Sequence, residues 1–230
     1  MIYTKGSPAL ERGGETLQVT VDVVIFTLFD DDLHILLVRR GPAGAEQWAL
    51  PGGMPRPDEG LEAAAQRILA AEAGPSEVYL EQLYTFGDPD RRPEGRVITV
   101  AYLAAVPADQ AAALNCGSDL GWYSVYALPP QAYDYGRIVN YALTRLRYKL
   151  EYTAVGFELL PQAFTLTELQ SAYEIVLGEE LDKRNFRRKI LRAGVIEPSG
   201  NYRSGEGRPA RLYRYREDAV AEVKARRLFP

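Results

Sequence analysis

One cysteine, Cys116, and one histidine, His34, are all that this 230-residue chain carries of either type. A lone cysteine excludes a disulfide framework and a thiolate metal cluster. Cys116 also has no histidine or cysteine near it in sequence and is read as inert. His34 sits in an apolar, strand-like run and is expected as a strand residue rather than a base. The serines therefore have no visible base to activate them. No apolar run approaches the roughly 20 residues that span a bilayer. The first residues lack a basic stretch followed by an apolar core, the pattern of a secretory signal. A cytoplasmic protein without a membrane partner is the expectation. Internal repeats and low-complexity segments are missing as well.

What is present suffices for a folded core. Hydrophobic residues make up 47% and charged residues 25% of the chain, as in ordinary globular proteins. The net charge of −4 hides an asymmetry. Residues 1–130 hold 9 Lys and Arg against 18 Asp and Glu, whereas residues 131–230 hold 18 against 13. Between Asp182 and Arg216, 11 basic residues face 3 acidic ones. Two readings are open for that block, a solvated charged face or a surface for nucleic acid.

The pattern along the chain divides it. Val19 to Phe29 and Leu33 to Val38 are apolar runs around Asp30-Asp31-Asp32, a hairpin pattern. Trp48-Ala49-Leu50 reads as a short strand that ends in the Gly52-Gly53 turn. Glu59 to Glu72 is rich in Ala, Leu, Glu and Gln with Gly74-Pro75 as a stop, which predicts a helix. Val78 to Phe86 and Arg96 to Val106 read as strands, joined by a polar loop. After Pro129-Pro130, Tyr135 to Tyr152 predicts a linking helix with Ile138, Tyr141, Ala142, Leu146 and Leu150 on one face. Thr165 to Leu177, Gly178, then Leu181 to Ala193 predict two helices around a tight turn. A hairpin of Val195–Glu197 and Ala210–Tyr215 follows, joined through the Gly/Ser-rich segment 199–207. That order is a winged helix-turn-helix pattern.

Gly53, Glu59, Arg67, Leu69, Glu72 and Gly74 stand in the register of the Nudix box, and the preceding Trp48-Ala49-Leu50-Pro51-Gly52 fits it. The segment thus resembles a Nudix hydrolase. That resemblance implies glutamates that hold divalent metal on a pyrophosphate, because Mg²⁺ requires several oxygen ligands. Two of the expected glutamates are replaced by Ile68 and Ala71. Positions 68 and 72 lie one turn apart, so an aliphatic group takes the place of a carboxylate beside Glu72. Glu59 and Glu62 belong to the other end of the helix. No resident cofactor is expected.

Tyr84-Thr85-Phe86-Gly87-Asp88-Pro89, Gly95-Arg96-Val97-Ile98 and Ala101-Tyr102 resemble Nudix enzymes that cleave ADP-ribose. The resemblance implies an aromatic at Tyr84 or Phe86 stacked on adenine, with Arg39 and Arg96 toward the diphosphate and Gly52, Gly53 and Glu72 in the pocket. For both aromatics, packing in the strand core is an equal reading. The family's Arg-Asp-Pro-Arg loop reads Arg91-Arg92-Pro93-Glu94 here, a departure that touches ligand identity.

In the second helix Asp182 suits an N-cap. With Phe186 and Ile190 turned inward, Arg184, Asn185, Arg187, Arg188 and Arg192 point outward, flanked by Lys183 and Lys189. Arg for guanine edges, Asn for adenine and Lys for phosphates are what major-groove reading requires. Arg203, Arg208 and Arg211 would add contacts from the hairpin. Thr165 suits an N-cap, and Thr167 is a candidate for phosphate contact or a second capping residue. Phe164-Thr165-Leu166-Thr167-Glu168-Leu169-Gln170, the Asp182–Ile190 run and Arg208-Pro209-Ala210-Arg211-Leu212-Tyr213 resemble the C-terminal domain of Nudix-related transcriptional regulators, the repressors of NAD metabolism genes (NrtR type).

The resemblance implies an α+β chain, a Nudix mixed α/β sandwich followed by a winged helix-turn-helix domain. Residues 1–130 form the ligand-sensing part, 131–155 the linking helix and 156–230 the DNA-binding part. It implies a repressor on operator DNA, a homodimer, and an ADP-ribose-like effector bound without cleavage. Two alternatives stand beside it. One is an active Mg²⁺-dependent pyrophosphatase that uses Asp88, Asp90 or Glu94 as replacement ligands. The other is a related repressor that responds to a sugar such as arabinose.

Overall fold

The computed structural model describes residues 16–29, 31–41, 47–74, 78–114, 116–152, 154–204, 209–216 and 219. The run of β-branched and aromatic residues builds the longest strand, β1 (Gln18–Phe29). Its Thr20 to Leu28 stretch is buried throughout, as expected of a central strand covered on both faces. Asp31, at φ 58°, turns the chain into antiparallel β2 (Asp32–Arg40). β3 (Gln47–Ala49) pairs with β2, and the two-residue β4 (Gly52–Gly53) pairs with β1. α1 (Leu61–Ala73) begins two residues later than its composition suggests, with Gly60 as N-cap. β5 (Tyr79–Phe86) and β6 (Val97–Ala105) follow, and β6 runs parallel to β1, Val21 opposite Val100.

Two elements lie where the sequence showed no strong pattern. α2 (Ala108–Ala112) is a single short helix, and β7 (Leu120–Ser124) pairs antiparallel with β2. The resulting seven-stranded sheet has the order β3-β2-β1-β6-β5, with β4 and β7 off that path. Period-two alternation sends Val21, Val23 and Ile25 to the α1 face, where they pack with Ala64, Ala65, Ile68 and Leu69. Val24, Phe26 and Leu28 go to the other face, which is covered by α3 (Tyr135–Tyr152).

α3 buries Ile138, Val139, Ala142, Leu143, Leu146 and Leu150. Tyr141, expected on that face, is instead 42% exposed and packs beside Tyr84. The core α3 shares with the sheet continues into the C-terminal half through Phe157, Leu169, Tyr173, Val176 and Phe186. That half contains β8 (Phe164–Thr165), α4 (Leu166–Leu177), α5 (Lys183–Ala193), β9 (Ile196–Arg203) and β10 (Ala210–Tyr215). The three strands pair as β8-β10-β9, so the helices stand against a small wing. β9 runs through Ser199-Gly200 instead of ending at Glu197, because its far end pairs with β10, Arg203 opposite Ala210 and Tyr202 opposite Arg211. Among the described residues no helix is long and apolar enough to cross a membrane.

Candidate functional site

The glycine turn before α1 is held against β1. Gly52 sits opposite Asp22, and a Cβ there would fall on Asp22 Oδ1 and 2.9 Å from the Val21 carbonyl oxygen. Only glycine fits without displacing one of them. Glu59 lies just before the helix, where its carboxylate accepts both Nε and Nη2 of Arg67 at 2.7 Å and the Arg56 amide at 3.0 Å. The Arg67 hydrogen bonds are the largest influence on its pKa, which falls to about 2. At the other end of α1, Glu72 pairs with Arg40 at 3.0 Å. Ile68 is buried between α1 and the sheet. Ala71 is exposed and offers no donor. This donor set does not fit an octahedral divalent metal, and no cluster of three His, Cys, Asp or Glu occurs among the described residues.

The polar loop Gly87–Gly95 folds onto the start of α3 by charge. Arg91, almost fully buried, donates Nε and Nη2 to the Asp134 carboxylate at 3.1 and 2.8 Å. Arg92 donates to the Tyr135 hydroxyl at 2.6 Å and lies over the Tyr133 ring at 4.4 Å. Tyr133 in turn donates to Glu94 at 2.9 Å, and Arg137 pairs with Asp88. The two residues by which this loop departs from the family pattern, Arg92 and Glu94, thus sit on either side of Tyr133. Of the substitute metal ligands of the hydrolase alternative, Asp88 and Glu94 are engaged in these contacts, and Asp90 is exposed.

Beneath this loop lies a group that was not singled out from the sequence. Asp22 is 1% exposed in the middle of the sheet. Thr99 Oγ1 donates to its Oδ2 at 2.6 Å, and the Tyr135 hydroxyl to its Oδ1 at 3.3 Å. Burial is the largest influence on the Asp22 carboxyl and raises its pKa; the Thr99 hydrogen bond and the Arg92 and Arg91 charges oppose it. Burial, then the Asp22 charge, likewise raises Tyr135. The clue was a solitary acid in an otherwise apolar strand run.

The residues expected around a nucleotide fall into two groups. Tyr84 is 51% exposed, with Tyr141 5.1 Å away and Phe86 at 5.3 Å edge-on. Phe86 itself is 3% exposed and belongs to the core, so Tyr84 is the exposed member of the pair. Arg96 is not aimed outward: its Nη1 donates to the carbonyls of Gly87 and Asp88 at 2.7 and 3.2 Å and braces the loop. The second group lies by β2, β3 and α1, where Arg39 covers the Trp48 ring at 5.4 Å and Glu72 holds Arg40. Gly52 and Gly53 belong to the adjoining turn.

In the C-terminal half the caps appear as expected. Thr165 Oγ1 accepts the Glu168 amide at 3.1 Å while Glu168 Oε2 accepts the Thr165 amide at 2.8 Å, a complete capping box. Gly178, in the left-handed region at φ 75°, ends α4. Across the turn, Glu174 Oε1 accepts the Leu181 amide at 2.8 Å and Gln170 donates to the Leu181 carbonyl at 2.9 Å. Asp182 then caps α5, accepting the Asn185 amide at 2.8 Å. Phe186 and Ile190 are buried, with Phe186 packed edge-on against Tyr173 at 5.4 Å.

Lys183, Arg184, Asn185, Arg188 and Arg192 are exposed on α5. Arg188 donates to Asn185 Oδ1 at 2.7 Å. Arg187 is half-buried rather than outward, since its Nη2 donates to Thr167 Oγ1 at 3.0 Å across to α4. Lys189 is half-buried too. Leu191, 50% exposed and three residues beyond Arg188, joins the outward face and was not foreseen. On the wing, Arg203 is tied back to Glu168 and the Ala163 carbonyl, so it braces the wing instead of extending from it. Arg211 lies against Tyr202. Arg208 lies outside the described residues.

Comparisons with known proteins match both halves of the chain. The NUDIX domain model matches residues 18–141, and that of the NrtR DNA-binding winged helix domain matches residues 156–215. The ADPR responsive transcriptional repressor NtrR of Acinetobacter baylyi is 38% identical over 204 residues, 86% of this chain and 81% of that protein. The crystal structure of Shewanella oneidensis NrtR complexed with a 27mer DNA is similar at a TM-score of 0.79 and 34% identity, over 88% of this chain and 95% of that one. The NUDIX domain of that protein complexed with ADP ribose is similar at a TM-score of 0.50 and 33% identity, over 58% and 90% respectively. The chain belongs to the NrtR family, in which a Nudix domain is joined to an NrtR winged helix domain.

Proposed function

We infer that this protein is a transcriptional repressor of NAD metabolism genes, one that binds operator DNA and responds to ADP-ribose or a closely related nucleotide. The observation that carries the reading is α5, a capped helix with a basic outward face, mounted on a Nudix fold. Arg184, Arg188, Asn185 and Arg192 would read base edges, and Lys183 and Lys189 would meet phosphates. Leu191 offers an apolar contact for a thymine methyl on the same face. Arg187 supports the reading face through Thr167. One such helix covers too few base pairs for tight specificity, so the protein acts as a homodimer on a palindrome.

The Nudix half, residues 1–130, is the sensor; residues 131–155 link it to the DNA-binding half, residues 156–230. Tyr84 would stack on the adenine, and the cationic side chain of Arg39 is suited to the diphosphate. The sensor is not an enzyme on this reading. Ile68 and Ala71 supply no metal ligand, and Glu59 and Glu72 are committed to Arg67 and Arg40. An effector held without Mg²⁺ is not destroyed by its own sensor. No cofactor is required, and the place of action is the cytoplasm, where the genes and the nucleotide meet.

The test has three readouts on the full chain. A melting screen across ADP-ribose, NAD and pentoses should show a rise with ADP-ribose, since a ligand of the folded state stabilises it by mass action. Duplex selected from a random library should bind with strong salt dependence. ADP-ribose incubated with Mg²⁺ should stay intact. Release of AMP at an ordinary enzymatic rate would replace the sensor by a hydrolase, and a rise with a pentose alone would replace the effector.

A further inference from the structure

The last turn of α4 is held by two side chains from outside the winged helix. A helix leaves its final carbonyls without partners in the helix. In α4 the Glu174 carbonyl is taken by the amides of Gly178 and Glu179 at 2.8 and 3.3 Å. The next two are taken from elsewhere. The Tyr126 hydroxyl donates to the Ile175 carbonyl at 3.0 Å, and Arg147 Nε donates to the Val176 carbonyl at 2.8 Å. Arg147 Nη2 also donates to the Tyr126 hydroxyl at 3.3 Å, which closes the clasp. A cation at this end also suits the negative end of the helix dipole.

The two donors have different anchors. Tyr126 follows β7 and belongs to the sheet; its neighbour Val125 donates to the Leu33 carbonyl at 2.9 Å. Arg147 belongs to α3. The start of α3 is wired to the loop Gly87–Gly95 by Arg91–Asp134, Arg92–Tyr135 and Arg137–Asp88. Further along, Lys149 donates to the Tyr79 hydroxyl of β5 at 2.6 Å. On the other side of the clasp, α4 carries α5 through the Glu174–Leu181, Arg187–Thr167 and Tyr173–Phe186 contacts. The halves also share apolar packing through Leu146, Leu150, Phe157, Leu169 and Tyr173, which is non-directional and tolerates a small slide. Hydrogen bonds to carbonyls do not, because they weaken steeply off their short, aligned geometry.

We propose that Arg147 and Tyr126 are positioning residues for DNA reading: they fix α4, and through it α5, to α3 and to the sheet at once. A displacement of α3 against the sheet cannot keep both hydrogen bonds, so it moves the recognition helix. This rests on the reading of the protein as a ligand-responsive DNA-binding repressor.

The experiment measures, for the full chain, the Kd for a duplex selected from a random library by the wild type, with and without saturating ADP-ribose. The Kd for ADP-ribose without DNA is measured alongside. Tyr126→Phe removes one hydroxyl from an exposed side chain, and Arg147→Met removes the other donor. In both variants the with-to-without ratio should fall to within about twofold of one, from a wild-type ratio of about 5 or more. The Kd for ADP-ribose should stay within about twofold of wild type. Arg147→Lys, which keeps a donor for Val176, should retain part of the ratio. A wild-type ratio carried unchanged by Tyr126→Phe and Arg147→Met overturns the clasp and leaves the sensor reading intact. A ratio lost together with ADP-ribose affinity also overturns it, since that reports general destabilisation. A wild-type ratio of one overturns the sensor reading, and the clasp with it.

Discussion

Asp182 holds the start of the recognition helix, and replacing it separates structure from charge. α5 has 11 residues and buries Phe186 and Ile190 as its two core anchors. A helix that short is marginal in isolation, so its first turn depends on the cap. Asp182 Oδ1 accepts the Asn185 amide at 2.8 Å, and the Asp182 carbonyl accepts the Phe186 amide at 2.9 Å. Asp182→Ala removes the side-chain bond, at about 1 kcal/mol, and the favourable carboxylate at the helix N-terminus, at about 0.5 kcal/mol. For a chain of this size about 1.5 kcal/mol lowers Tm by roughly 3–6 °C. Asp182→Ser keeps an acceptor for the same amide and loses only the charge, so its Tm should fall by roughly 1–2 °C. Both variants remove a negative charge beside Lys183 and Arg184. At about 6 Å from a phosphate in water that charge is worth about 0.7 kcal/mol, or roughly threefold in Kd. Asp182→Ser should therefore bind duplex DNA two- to threefold more tightly than wild type at low salt, and Asp182→Ala less tightly than Asp182→Ser. Calorimetric melting and fluorescence anisotropy at two salt concentrations measure both. Equal Tm losses in the two variants would refute the argument, because the cap would then not be what holds the turn.

The other predictions concern the Nudix half. Gly52→Ala should cost about 2 kcal/mol or more in a urea titration, because the new methyl meets Asp22 Oδ1 and the Val21 carbonyl. On an Asp22→Ala background the same substitution should cost less, and an identical cost would show that Asp22 is not the obstacle. Glu59 has its pKa lowered from 4.5 to about 2 by Arg67, so its contribution to stability is fully present above pH 4.5 and is lost as pH falls from there toward 2. The urea midpoint of wild type should exceed that of Glu59→Gln at pH 6, and the gap should narrow as pH drops below 4.5; a gap independent of pH contradicts the ion pair. Tyr84→Ala should weaken ADP-ribose binding by about 5- to 150-fold, the worth of one base–aromatic stack, with little change in Tm. Phe86→Ala should instead cost about 3–5 kcal/mol of stability, as expected for a core ring. Unchanged binding in Tyr84→Ala would remove it from the pocket.

The sequence by itself determined those features that are encoded within a few residues of each other. Helical periodicity and a glycine stop placed α1 and the full length of α3, while cap chemistry marked Thr165 and Asp182 at the starts of α4 and α5. The fixed spacing of Gly53, Glu59, Arg67, Glu72 and Gly74 identified the box, and the basic run after Asp182 marked the charged face of α5. Tertiary structure decided what depends on partners far away in the chain. β7 carries only a weak strand pattern and exists because β2 pairs with it; β9 crosses Ser199-Gly200 because β10 lies alongside. Tyr84 and Phe86 are two residues apart on one face of β5 and both lie beside Tyr141 of α3, yet Tyr84 is exposed and Phe86 is buried in the core. Tyr141 carries an apolar ring, yet it meets the exposed Tyr84 on the edge strand β5 and stays 42% exposed. Arg96, Arg187 and Arg203 are equally basic in the sequence, and each is drawn back by an acceptor on another segment: the Gly87 carbonyl, Thr167 and Glu168. A charge states its sign locally, but whether it meets solvent, ligand or a neighbour is settled by desolvation and pairing across the fold.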